Sequence, residues 1–252
     1  CFVRYERDDE INSYFSQLSD ARIVWGGDAT VDYFRKYKTN PRCIDIMFAN
    51  RNSLLLIDSC YLANLSKEEL AKTAEKFVQD AMFFEQNACT SPKLIYWYGS
   101  SENNQRAMKV YWEQVSKQDL SHLNIKGKET TDKLMKVIDL ALYSEISYQK
   151  QGLIDIVSMT SVPSPARLSQ NRFGLFYQLE GDELSEIGKL FDNKTQTISY
   201  IADTGLSFYN ELINNSFNQF DRMVPVGKSA DFDLVWDGYD LITSLSRKIS
   251  VI

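Results

Sequence analysis

The run Phe83-Phe84-Glu85-Gln86-Asn87-Ala88-Cys89-Thr90-Ser91-Pro92-Lys93 sets one thiol between a strongly patterned helix and an apolar strand. Cys89 reads as a nucleophile, because small hydroxyl residues follow it and Pro92 halts the backbone, holding the thiol at a turn that a substrate can reach. The commoner role of a cysteine is that of a small buried hydrophobe, and position alone does not choose between the two. Cys1, Cys43 and Cys60 lie far apart with no CxxC pair, and the single histidine, His122, leaves too few soft ligands for a zinc site, so no metal is expected. A second feature with chemical capacity is Trp25-Gly26-Gly27-Asp28. Glycines ahead of a helix N-terminus let backbone N–H groups approach a phosphate or a ring. A two-glycine turn is more often only a turn, and the full GxGxxG fingerprint is absent.

These residues need elements to position them. Residues 22–25 read as a short strand, the glycines as a turn, and 29–37 as a helix with Val31 and Phe34 inward. Residues 44–47 and the continuous apolar run 54–57 follow as strands, the second suited to a strand covered on both faces. Ser66 opens a helix with a capping box to Glu69 and a Leu65/Leu70 staple. Its stripe of Leu70, Ala71, Ala74, Phe77, Val78, Ala81 and Met82 packs on a core and delivers Cys89 just past the helix end. Strands at 93–98, 154–159, 175–179, 197–202 and 223–226 alternate with helices at 102–117, 128–144, 182–191, 205–215 and 239–246. That rhythm implies an α/β fold with a parallel sheet.

Composition narrows the function. The 252 residues carry a net charge of −6 and 44% hydrophobic residues, enough for a real core and without a basic footprint for nucleic acid. No apolar run reaches membrane-span length, and few cysteines in a large chain suit a reducing cytoplasm. The start at Cys1 has neither signal-peptide flanks nor an initiator methionine, so the chain looks cut from something longer.

Three motifs then agree in order and spacing: residues 20–28 (DARIVWGGD), 45–53 (DIMFANRNS) and 86–92 (QNACTSP). Together they resemble the LuxC-type acyl-CoA reductases, the long-chain fatty-acid reductase relatives of aldehyde dehydrogenases. Residues 222–228 (RMVPVGK) and 236–242 (WDGYDLI) look like the C-terminal signature of the same group, so the resemblance runs nearly the whole length. It implies an aldehyde-dehydrogenase-like catalytic domain over 48–235, preceded by the last part of a Rossmann-like nucleotide-binding domain over 1–47. A helix and strand over 236–252 would form an oligomerisation tail, with 248–252 as a strand pairing with another subunit. The portion before residue 1 would hold most of the cofactor site and the asparagine that donates to the oxyanion.

The resemblance also implies a reaction. The Cys89 thiolate would attack an acyl-CoA or the thioester of an acyl-carrying protein, and NADPH would reduce the acyl-enzyme to aldehyde. Trp25, Gly26 and Gly27 would lie near the nicotinamide, and Asn171, before Phe173-Gly174, would hold its ribose. A gapless match puts Phe48 where ordinary aldehyde dehydrogenases carry the general-base glutamate, which disfavours hydrolysis to acid. Glu85 reads as a surface carboxylate and His122 as structural or exposed. The alternatives are a non-catalytic scaffold that keeps the fold, or an aldehyde-oxidising enzyme. By the same resemblance, the chain alone would lack activity and its parent would be a homo-oligomer.

Overall fold

The computed structural model describes residues 1–251. Two units arise from the pattern of contacts: Cys1–Asn50 joined by the stretch from Phe232 onward, and Arg51–Asp231. In the first, α1 (Asp9–Leu18) is capped by Asp8, whose carboxylate accepts the Ile11 N–H at 2.9 Å. Strand β1 (Ala21–Trp25) runs parallel to β2 (Ile44–Phe48), with α2 (Asp28–Arg35) as the crossover, a βαβ unit. Arg22 is buried because every part of its guanidinium is used. It forks onto Asp45 and donates to Ser16 Oγ and the Phe34 carbonyl, both at 3.0 Å.

The second unit is a seven-stranded sheet ordered β5-β6-β7-β4-β3-β8-β9. Its strands are β3 (Asn52–Asp58), β4 (Pro92–Tyr98), β5 (Ile146–Gln151), β6 (Ile154–Met159), β7 (Leu175–Gly181), β8 (Thr195–Ile201) and β9 (Arg222–Pro225). All neighbours are parallel except β5 with β6. The helices are α3 (Ser59–Ala63), α4 (Lys67–Met82), α5 (Ser101–Ser116), α6 (Gly127–Ala141), α7 (Pro165–Leu168), α8 (Ser185–Gly188) and α9 (Leu206–Asn214).

Successive residues of a strand face opposite ways, and both faces here are covered. Leu55, Ile57, Ile95 and Trp97 pack with Phe77 of α4 and Tyr111 of α5. Leu54, Leu56, Leu94 and Tyr96 pack with Val137, Leu184 and Phe208 on the other face. Each such side chain contributes roughly 1.5–3 kcal/mol on burial, so β3 and β4 at the centre are the most firmly held part of the unit.

Helices α1, α3 and α7 were not expected, and four further differences separate the sequence-derived elements from the structure. Strand β5 was not expected, because its polar residues are mostly exposed on a sheet edge; the turn signal is Gly152, at φ +62°. The helix expected over 182–191 shrinks to α8, since Leu184 N–H is bonded by Glu211 and the Gly181 carbonyl accepts Gly99 N–H. The helix expected over 239–246 is only α10 (Leu241–Ser244), because Tyr239–Asp240 (β11) pairs back onto Val235–Trp236 (β10). The two-residue turn between them is Asp237-Gly238 at φ +49° and +77°, a left-handed pair that such hairpins require. The strand expected over 248–252 is absent among its described residues, 248–251; strand hydrogen bonds need a neighbour, and none is present there.

The unit boundaries also differ from the expected 47/48 and 235/236. Phe48 completes β2 opposite Trp25, and Asn50 N–H donates to Asp28, so the first unit runs on to Asn50. Phe232 and Trp236 pack against Trp25, which joins the C-terminal stretch to the same unit instead of leaving it as a separate tail.

Candidate active site

Helix α4 brings the chain to Cys89. Its capping box is formed, with Ser66 Oγ accepting Glu69 N–H at 3.3 Å and Glu69 accepting Ser66 N–H at 2.9 Å. After Met82 the backbone turns through three consecutive left-handed residues without a glycine: Phe84, Glu85 and Gln86, at φ +47°, +56° and +63°. Each costs about 1 kcal/mol or more, so neighbours must impose the conformation. They do so through Gln86. Its buried carboxamide donates to the Pro92 and Leu175 carbonyls at 3.1 and 3.0 Å, and accepts the Gly174 and Leu175 N–H groups at 2.9 and 3.1 Å. Phe173 N–H donates to the Glu85 carbonyl at 2.9 Å, and Asn87 Nδ2 donates to the Phe84 carbonyl at 2.8 Å.

Cys89 follows on a turn at the amino edge of the parallel sheet, partly exposed. Ser53, at the start of β3, donates from its hydroxyl to the Cys89 carbonyl at 2.7 Å. Ser91 Oγ donates to the Asp80 carbonyl at 3.0 Å, fixing the far side of the turn to α4. Gln196, buried in β8, donates from Nε2 to Cys89 Sγ at 3.5 Å. A donor at sulfur favours the thiolate over the thiol. The thiol is therefore placed rigidly, open on one side, and hydrogen-bonded in the sense that a nucleophile needs.

Lys93, the second residue of β4, has 4% of its surface exposed and donates from Nζ to the Gln86 carbonyl. Burial pushes its ammonium down to about 7, reinforced by Arg172 and Lys136 and opposed by Cys89. Asp80 is buried as well. Its carboxylate accepts Gly227 and Ser229 N–H at 2.6 and 3.1 Å, and burial raises its pKa above the ordinary carboxylate value.

The remaining expected site residues distribute differently. Trp25 exposes 55% of its surface within an aromatic group of Phe48, Phe232 and Trp236. A Cβ on Gly26 would lie 2.8 Å from Thr30, and one on Gly27 3.2 Å from Asn50, so the space these glycines leave is filled by the first unit itself. What they can offer a ligand is backbone alone, beside an exposed indole. Asn171 is not placed to hold a ribose: it is wholly buried, donates to the Lys93 carbonyl at 3.3 Å, and its Oδ1 has no partner among the described residues. Phe48 is 2% exposed in the apolar cluster of the first unit with Ile46 and Trp236. Glu85 accepts Asn124 N–H at 3.1 Å, and His122 is exposed. Gln86, Gln196, Ser53 and Lys93 were missed by sequence reasoning. The available signal was a polar or charged residue beside apolar strands, where burial demands a partner. Among the described residues no cluster of His, Cys, Asp or Glu could hold a metal, and no helix is long and apolar enough to cross a membrane.

The fold is that of the aldehyde dehydrogenases. The NADP-dependent glyceraldehyde-3-phosphate dehydrogenase of Bacillus halodurans, solved with NADP, superposes with a TM-score of 0.61 at 12% identity, over 91% of this chain and 48% of that one. The chain is also similar to the LuxC reductases that its motifs resemble: the family described as acyl-CoA reductase (LuxC) matches residues 2–117. Two curated relatives, the long-chain acyl-protein thioester reductases of Aliivibrio fischeri and Photorhabdus luminescens, are each 23% identical, over 90% and 100% of this chain. The chain spans 45% and 50% of their lengths, about half.

Proposed function

We propose that the protein that carries this sequence reduces fatty acyl thioesters to aldehydes through an acyl-enzyme on Cys89. The observation that carries the reading is the turn of Cys89, held by Ser53 and Ser91 with Gln196 on its sulfur. The thiolate attacks the carbonyl carbon of the acyl donor, a C–S bond forms to Cys89, and the donor's thiol leaves with the displaced electron pair. The chemistry that a nicotinamide cofactor, NADPH in this reading, would supply when bound is a hydride for the thioester carbon. The part of Cys89 would be to leave as the thiolate, taking the electron pair of the C–S bond and freeing the aldehyde. Trp25, Gly26 and Gly27 are the residues offered to the cofactor, through an exposed ring and backbone. Phe48 has no atom that takes a proton, so the water activation that would divert the acyl group to acid is not supported there.

The rings of exposed Phe83 and Phe84 meet with centroids 4.3 Å apart and planes tilted by 48°, and border a groove with Val78, Met82 and Leu123, apolar surface suited to a long acyl chain. The acyl donor is acyl-CoA or an acyl-carrying protein, and the thiol needs a reducing compartment such as the cytoplasm. Incubation with a radiolabelled long-chain acyl thioester is expected to label the peptide that contains Cys89 and to leave Cys89→Ala unlabelled. Equal labelling of the two would overturn the reading. In the complete polypeptide, NADPH oxidation that depends on the acyl thioester and yields aldehyde separates an enzyme from a non-catalytic scaffold.

A further inference from the structure

Lys93 has no part in the chemistry just described, yet it is an ammonium-bearing chain sealed in the interior four residues past Cys89. Long cationic side chains are rarely fully buried without a paired carboxylate, and no such pair forms at Lys93 among the described residues. Its Nζ instead holds the carbonyl of Gln86, the last of the three left-handed residues that lead into the Cys89 turn. The charged groups that face it are Arg172 from the loop ahead of β7, Lys136 from α6, and Cys89 itself. Two of the three are cations, which oppose its charge. Only Cys89, as a thiolate, favours it.

We propose that Lys93 is a positioning residue for Cys89, its Nζ fixing the left-handed approach to the turn and its positive charge favouring the thiolate. The proposal rests on the reading of Cys89 as nucleophile. Electrostatic coupling is reciprocal while Lys93 holds its proton, up to about pH 7: the Cys89 thiolate raises the ammonium's affinity for its proton and the ammonium lowers that of the thiol, and above that pH the neutral amine still donates to the Gln86 carbonyl. A neutral side chain at 93 removes this effect, whereas arginine keeps the charge.

The test is the pH profile of Cys89 alkylation by iodoacetamide, read peptide by peptide by mass spectrometry in the folded protein. Lys93→Met is expected to raise the midpoint for Cys89, by less than the full coupling because Lys93 itself releases its proton near 7, and Lys93→Arg, charged throughout, to lower it. An unchanged midpoint in a folded Lys93→Met protein overturns the proposal. Should that variant not fold, the parent protein decides: the midpoint for Cys89 must lie below that of exposed Cys60, and a midpoint at or above it overturns the proposal. Alkylation needs neither acyl donor nor cofactor. A lowered midpoint without acyl labelling would therefore sink the proposed reaction and leave Lys93 standing, and labelling with an unchanged midpoint would do the reverse.

Discussion

A buried lysine leaves a mark on stability as well as on its neighbour. The Lys93 ammonium sits at about 7 in the folded protein, against 10.5 for a free lysine. Below pH 7 both folded and unfolded chains hold the proton, and the cost of burying the charge is present in full. Between about 7 and 10.5 the unfolded chain keeps a proton that the folded chain has released, so stability rises with pH there. The slope from this one group is at most about 1.4 kcal/mol per pH unit. Urea unfolding of the parent and of Lys93→Met at pH 6.5, 8 and 9.5 should show the variant with the flatter dependence; parallel curves would contradict the assignment. Cys89 itself was legible in the sequence, because a thiol between a capped helix and a Pro-initiated strand is a local pattern. Gln196 was not, since nothing in its own neighbourhood says that β8 lies beside the strand that Ser53 begins.

At the scale of elements, α4 does more than deliver the chain to a turn. Its last turn carries Asp80, whose carbonyl receives Ser91 Oγ on one side and whose carboxylate receives Gly227 and Ser229 N–H on the other. One residue thus fastens both the Cys89 turn and the loop after β9 to the same helix end. Asp80→Ala leaves two N–H groups without their acceptor and is expected to lower stability by roughly 2–5 kcal/mol, read as a fall in the urea midpoint. A loss under about 0.5 kcal/mol would mean that water replaces the carboxylate. The α4 helix was readable in full, stripe and capping box alike. The turn beyond it was not: Phe84, Glu85 and Gln86 have no intrinsic preference for left-handed backbone, and bonds from residues outside the segment, among them the distant Phe173, Gly174 and Leu175, impose it. The Asp237-Gly238 hairpin was not read either, because the apolar residues beyond it suggested a helix over 239–246.

Taken whole, the chain leaves apolar surface near its C-terminal end. Ile249 and Val251 are 85% and 93% exposed, and residues 248–251 hold no strand pairing. Such a segment fits a partner subunit's sheet edge, and in our reading the protein is a homo-oligomer through it. Light scattering should find a dimer or larger, and removal of the residues after Ser246 should yield a smaller species with an unchanged unfolding midpoint. A monomeric parent protein would contradict this.

The sheet order carries a different consequence, in time. Cys89 receives its carbonyl bond from a residue 36 positions earlier and its sulfur bond from one 107 positions later, and Gln86 is locked by a strand 89 positions away. Closing such distant contacts is slow and comes with the final assembly of the sheet. During synthesis and folding Cys89 is therefore an ordinary thiol. The Gln196 donor reaches its sulfur only when β8 docks beside β3, so a change in its alkylation during refolding reports that docking.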